Sequence, residues 1–265
     1  MPTTISLETS QATFAAGSSF TLTATTNVDV SLSSSTVTIT DQVTSGIVRT
    51  CSTGTTCALT TTFPSGGPHT YVAQVNSLVS APVTVSRQAW AVTLTQSGSV
   101  YTAGSPVTLT ATANQDVGNT SNFYRIYIFN ETNGMLLASC STGSTCSGVP
   151  VFYTGGPQVY VAEVAATNGT PTYANVTGQQ AVSNEITLTR QAWTVTLTQS
   201  GSVYTAGSPV TLTATANQDV GATGGSYRIY IFNKTTGILL ASCSTGSTCS
   251  GVPVFYTGGP QVYVA

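Results

Sequence analysis

The chain has 265 residues, 40% hydrophobic but only 5% charged, with a formal net charge of −2. An ordinary soluble domain carries roughly 25% charged residues, so there is no basic footprint for nucleic acid. No apolar run approaches the roughly 20 residues of a membrane helix, so no membrane insertion is expected. Thr, Ser, Gly and Asn stand where charge is missing, a mixture that favours strands and turns over helices. The opening Met1-Pro-Thr-Thr has neither a basic start nor an apolar run, so any export signal is expected to have been removed.

In chain order, residues 1–87 hold an alternating strand at Ile5 to Leu7 and an Ala-Gly-Ser turn at 16–18. A Thr-Leu-Thr-Ala-Thr strand at 21–25, an Asn27-x-Asp29 pair and a cysteine loop follow. Gly-Gly-Pro at 66–68 and Tyr-Val-Ala at 71–73 complete the set. Residues 88–190 repeat the order with clearer alternation. Trp90, Val92 and Leu94 share one face; Val107, Leu109, Ala111 and Ala113 another; then Tyr124, Ile126 and Ile128. Short runs at 135–138 and 149–153 precede Tyr160, Ala162 and Val164, and Ile186 and Leu188 close the repeat. Period-two alternation places one face in a core and the other, mostly Thr, in water. Turn signals at 103–106, 130–134 and 154–157 separate the runs. From Gln191 the second repeat returns nearly unchanged at an offset of about 103 residues. The expected domains are therefore 1–87, 88–190 and 191–265. About seven short, mostly antiparallel strands per repeat is the count of a β-sandwich.

The six cysteines fall into three Cys-x5-Cys loops: Cys51 and Cys57, Cys140 and Cys146, Cys243 and Cys249. Local pairs in even number are expected to be disulfides formed in an oxidising compartment, each stiffening one turn. A metal site needs further ligands, and His69 is the sole histidine.

The opening strand with its Ala-Gly turn, the Thr-Leu-Thr-Ala-Thr strand and the late Tyr-Val-Ala motif at 71–73, 160–162 and 263–265 resemble bacterial immunoglobulin-like modules of secreted and surface proteins. The resemblance covers nearly the whole chain and implies an all-β fold of tandem immunoglobulin-like antiparallel β-sandwiches. Each motif tyrosine stands where an antibody domain has its corner tyrosine, two residues before a cysteine. Here Ala73, Ala162 and Ala265 replace that cysteine, and no Trp lies on the expected third strand. An antibody-type disulfide between sheets is thus not expected.

The last strand of one repeat runs into the first of the next without a Gly/Ser or Pro linker, which should limit bending. Trp90 and Trp193 both stand at these joints, where repeat 1 has Thr3. Two readings stay open: packing between domains, or capping the core of the Trp's own repeat. The third repeat stops in its Tyr-Val-Ala strand, and repeat 2 has a further strand at 185–190 that repeat 3 lacks. Truncation of a longer protein is the plainer reading, and self-assembly through the incomplete third repeat the sharper one.

For chemistry, His69 is Gln158 and Gln261 in the sister repeats, which suits a turn residue better than a base. Asn-x-Asp recurs at 27–29, 114–116 and 217–219; an Asx-type turn explains it more simply than calcium, which wants six to eight oxygens. No catalytic set, metal site or cofactor is expected. Two features could bind a protein or glycan partner. Tyr127 and Phe129, with Tyr230 and Phe232, point away from their strand's inward residues, though a place under a neighbouring strand or loop is the plainer reading of them. The insertion at 166–180 lies where antibody-like domains carry a binding loop, though a variable surface loop is again the plainer reading. The expected function is a non-enzymatic, secreted or cell-surface stalk or fibre segment. The alternatives are an adhesin or carbohydrate-binding module, and an accessory region of an exported enzyme.

Overall fold

The computed structural model describes the chain except residues 64–66, 104–105, 151–156, 167–168, 170, 204 and 254–259. Parts of the expected turns at 66–68, 103–106 and 154–157, and of the run at 149–153, lie outside the described residues. The described chain is all-β, with three short 3-10 turns and no α-helix. Repeat 1 contributes β1 (Ile5–Thr9), β2 (Thr13–Phe14), β3 (Phe20–Thr26), β4 (Val37–Asp41), β5 (Gly46–Cys51), β6 (Thr56–Thr61), β7 (His69–Val75), β8 (Leu78–Val79) and β9 (Val83–Arg87). Repeat 2 contributes β10 (Val92–Gln96), β11 (Val100–Tyr101), β12 (Leu109–Ala113), β13 (Tyr124–Asn130), β14 (Met135–Cys140), β15 (Thr145–Gly148), β16 (Gln158–Ala166), β17 (Ala181–Val182) and β18 (Ile186–Arg190). Repeat 3 contributes β19 (Val195–Gln199), β20 (Leu212–Ala216), β21 (Ile229–Asn233), β22 (Leu239–Cys243), β23 (Thr248–Gly251) and β24 (Tyr263–Val264).

The chain divides into two compact units. One joins Met1–Leu94, Thr110–Ser147 and Val161–Glu185; the other joins Thr95–Leu109, Gly148–Tyr160 and Ile186–Ala265. Strands β10, β12, β15 and β16 of repeat 2 have residues in both.

In the first unit, repeat 1 forms two sheets, β1-β3-β6 and β2-β9-β7-β4-β5, with β8 on β7. Pairing is antiparallel except for β2, which lies parallel to β9. The chain thus crosses from one sheet to the other between β1 and β2. Alternation on β3 shows why these residues make strands: Phe20, Leu22, Ala24 and Thr26 are buried, while Thr21, Thr23 and Thr25 face outward. Inward residues of both sheets share one core, in which Leu7, Leu22 and Cys57 meet Ile39, Ala73 and Val85. Burying each larger apolar side chain is worth about 1.5–3 kcal/mol. The same unit holds the β13–β14 hairpin, with a bulge between Ile128 and Phe129, and β17 on the end of β16. On β13, burial is continuous from Ile126 to Asn130 rather than alternating, so both faces are covered.

In the second unit, β11 runs parallel to β18, which pairs antiparallel with β16 at Gln158 to Tyr160. Repeat 3 forms the sheets β19-β20-β23 and β22-β21-β24. Its core contains Val210, Leu212, Ala214, Val220, Ile229 and Ile231.

Candidate functional site

The Asn-x-Asp motif puts three adjacent residues to three uses. The Asn amide fastens the entry of the repeat's first strand: its oxygen accepts from the N–H of Thr3 at 2.9 Å, of Ala91 at 2.9 Å and of Thr194 at 3.0 Å. The Asp caps the following 3-10 turn. Asp116 and Asp219 accept from the Gly118 and Gly221 N–H groups, each at 2.7 Å. Asp29 accepts from the Ser31 hydroxyl and N–H and from the Gly54 N–H, bonds that hold its carboxyl below the usual range.

The middle residue works between repeats. Gln115 accepts from the Ala16 N–H of repeat 1 at 2.8 Å, and its Nε2 donates to the Gln88 and Ala89 carbonyls of the connection. Gln218 does the same one repeat on, accepting from Ala103 at 3.0 Å and donating to Gln191 and Ala192. The connection is tied back at both places, by Gln88 N–H to the Phe14 carbonyl and Gln191 N–H to the Tyr101 carbonyl. One amide thus uses its acceptor on the preceding repeat and its donors on the connection. Gly17 seats this contact with φ +76°, where a Cβ would overlap Asn119. Sequence reasoning passed over these glutamines. The available signal was that the middle residue is Gln in the two repeats with a visible predecessor and Val28 in the first.

Trp90 and Trp193 pack on tyrosines of their own repeats. Trp90 meets Tyr124 edge-on at 5.7 Å, and Trp193 lies tilted against Tyr227 at 5.5 Å. The preceding repeat supplies an arginine to each cluster. Arg87 stacks 5.1 Å over Tyr124 and donates to Gln180 at 3.0 Å; Arg190 stacks over Tyr227 at 5.1 Å and Trp193 at 5.3 Å. Both readings of the tryptophans thus have a counterpart in the contacts: each ring packs on a tyrosine of its own repeat, and Trp193 also lies under the arginine of the preceding repeat.

Cys51–Cys57, Cys140–Cys146 and Cys243–Cys249 are disulfides, with Cα separations of 5.5–5.6 Å. Each joins neighbouring strands of opposite sheets, β5 to β6, β14 to β15 and β22 to β23. The stapled loops also brace the joint end of each repeat. The Gly54, Gly143 and Gly246 carbonyls accept from the Val30, Val117 and Val220 N–H groups of the 3-10 turns.

The outward aromatics divide. Tyr127 and Phe129 are 1% and 0% exposed, covered by Tyr173 and Val176 of the insertion, with Val161 and Ala165 beside them. They are not an exposed contact surface, which corrects that expectation: alternation identifies their face but not what lies over it. Tyr230 and Phe232 are 42% and 37% exposed and stack at 5.8 Å. They line a groove of about 430 Å³ with Trp193, Tyr227, Arg228 and Val264. Residues 167, 168 and 170 of the insertion lie outside the described residues.

Beneath the insertion, Glu163 is fully buried and neither carboxylate oxygen has a well-formed hydrogen bond. Burial pushes its carboxyl up, countered in part by the Gln179 side chain. His69 and Asp41 pair in repeat 1, with Phe63 4.3 Å from the imidazole. Burial and the Asp41 charge push the Tyr71 hydroxyl up to about 12. Among the described residues no three His, Cys, Asp or Glu side chains gather as metal ligands.

No family model matches the chain. No curated protein matches it. Among solved structures it is similar to a Corynebacterium diphtheriae protein described as membrane-anchored. The identity is 14% and the TM-score 0.34, over 86% of this chain and 66% of the other's length.

Proposed function

We propose that the chain is a non-catalytic segment of an extracellular or cell-surface protein, built of tandem immunoglobulin-like repeats and serving as a stalk or fibre element. The observation that carries this reading is the amide clasp made by Gln115 and again by Gln218. A joint built twice from the same residues suits a chain whose task is to hold its repeats in line. The immunoglobulin-like assignment draws support from the strand orders β1-β3-β6 and β9-β7-β4-β5, which follow the A-B-E and G-F-C-C′ orders of such sandwiches. Three loop disulfides suit an oxidising, extracellular setting. The one acid–imidazole pair is replaced in repeat 3 by Asn233 and Gln261, which favours a structural role for it.

The test is amide hydrogen exchange at Ala16 and Ala103. Both should be protected in the intact chain, and Gln115→Val should release Ala16 alone. Exchange of both at the rate of open turns in the unaltered chain would remove the basis for a stalk.

A second reading, an adhesin, draws on the exposed Tyr230–Phe232 pair. It expects Tyr230→Ala to abolish retention on a glycan or protein surface while leaving the melting temperature unchanged. Tyr127→Ala is not a fair companion variant, since Tyr127 is core-like.

A further inference from the structure

Each joint has two dissimilar sides. The upstream repeat offers the Ala-Gly turn: Ala16 donates its N–H, Gly17 gives clearance, and the Ser18 N–H closes the turn on the Ala15 carbonyl at 3.0 Å. The downstream repeat offers a Trp, a Gln and a Tyr, at 90, 115 and 124 and again at 193, 218 and 227. Repeat 3 has the same Ala-Gly-Ser order at 206–208 and forms the turn as repeat 1 does. The Ser208 N–H closes on the Thr205 carbonyl at 2.9 Å, and Gly207 has φ +82°, close to the +76° of Gly17. Ala206 stands exposed where Ala16 makes its bond to Gln115.

Repeat 1 differs at the opposite end. The strand registers of β4 and β13 align Val37 with Ile126, each facing the first cysteine of its loop. Ser35 therefore holds the place of Tyr124. With Thr3 in place of Trp90 and Val28 in place of Gln115, all three downstream-side residues are absent. Valine has no acceptor for an incoming N–H and no donors for a connection. Serine and threonine offer no ring to an incoming arginine.

Resting on the reading of the chain as an array of repeats, we infer that the repeat-3 turn at 205–208 is a docking surface for the N-terminal end of another repeat carrying this Trp, Gln and Tyr, and that the N-terminal end of repeat 1 is closed to such a joint. The partner is thus a further repeat of the repeat-2 kind. A second copy of this chain is not suitable head to tail, because its two matching ends are engaged within itself and its repeat-1 end lacks the residues. The array has a direction set by three side chains.

Two lengthened chains test this. In one, residues 163–190 and then a copy of residues 88–190 are appended after Ala265, so that repeat 3 gains a closing strand and a following repeat; in the other, a copy of residues 88–190 is fused ahead of Met1, so that its last arginine keeps the natural spacing. Exchange is read at the Ala206 amide in the first chain and, with the added copy segmentally labelled with nitrogen-15, at the added Ala103 amide in the second. Ala206 should exchange at least about tenfold more slowly than in the unextended chain, and the added Ala103 as fast as Ala206 of the unextended chain. Adding Thr3→Trp, Val28→Gln and Ser35→Tyr to the second chain should restore protection of the added Ala103. An unprotected Ala206 in the first chain, a protected added Ala103 ahead of the unaltered repeat 1, or a graft without effect would each overturn the inference. Native Ala16 and Ala103 serve as controls: if they too are unprotected, it is the array reading that fails.

Discussion

His69 Nδ1 lies 2.7 Å from Asp41 Oδ2, at the position where Asn233 Nδ2 of repeat 3 donates to Gln261 Oε1 at 3.0 Å. The same link between neighbouring strands is made by an acid and an imidazole in one repeat and by two neutral amides in another. Burial pushes the Asp41 carboxyl up. The His69 bond, the Val43 N–H, the His69 charge and Thr44 outweigh it and hold the group below the usual carboxylate range.

The pair makes repeat 1 acid-sensitive in a way repeat 3 is not. A depressed carboxyl contributes stability that is present above its unfolded value, about 3.9, and is lost as pH falls through the folded value. Replacing Asp41→Asn together with His69→Gln should change stability at pH 7 by no more than about 1 kcal/mol. It should also reduce the loss between pH 5 and pH 2. Urea unfolding of both proteins across that range measures it; identical losses would show that Asp41 does not contribute as described.

Glu163 behaves in the opposite sense. A carboxyl raised by burial favours the folded state while protonated, and this contribution is lost as pH rises from the unfolded value, about 4.3, through the folded one. Glutamine matches its shape without the charge, and the corresponding residue of repeat 1 is Gln74. Glu163→Gln should therefore stabilise the chain at pH 7.5 by about 1–3 kcal/mol and have little effect at pH 4. A variant less stable than the parent at pH 7.5 would mean that the buried carboxylate is compensated.

Gly17 and Gly134 share a left-handed backbone, φ +76° and +73°, but differ in surroundings: Asn119 stands over the first and nothing lies within 4 Å of the second. Alanine at Gly134 should cost only the backbone term, about 1 kcal/mol. Alanine at Gly17 should cost more and should release the Ala16 amide. Equal effects on stability and on Ala16 exchange would show that the joint tolerates a side chain there.

The Cys140–Cys146 loop holds the Val117 turn through the Gly143 carbonyl. Removing the disulfide by Cys140→Ser with Cys146→Ser should destabilise by about 2–3 kcal/mol. Exchange at Val117 should quicken more than exchange at Leu109, at the end of β12 away from the loop. A uniform change along the repeat would reduce the disulfide to a general constraint on the unfolded chain.

Strand content and the turns at 16–18 and 130–134 were legible from residue order because they rest on local rules. Alternation on β3 follows from a period of two, and glycines at 17, 54 and 143 occupy left-handed turns. The Asn and Asp of the Asn-x-Asp motif act within their own repeat, as an Asx-type reading expects. What tertiary structure alone decided lies far apart in the chain. Gln115 takes its meaning from Ala16, 99 residues away, and polarity says only that it wants partners. Tyr127 and Tyr230 occupy the same place in nearly identical strands, yet one is buried and the other exposed, because Tyr173 and Val176 cover the first. The pattern along a strand determines which side chains share a face. The contacts that bury or expose that face come from elsewhere in the chain, and only the folded arrangement sets them.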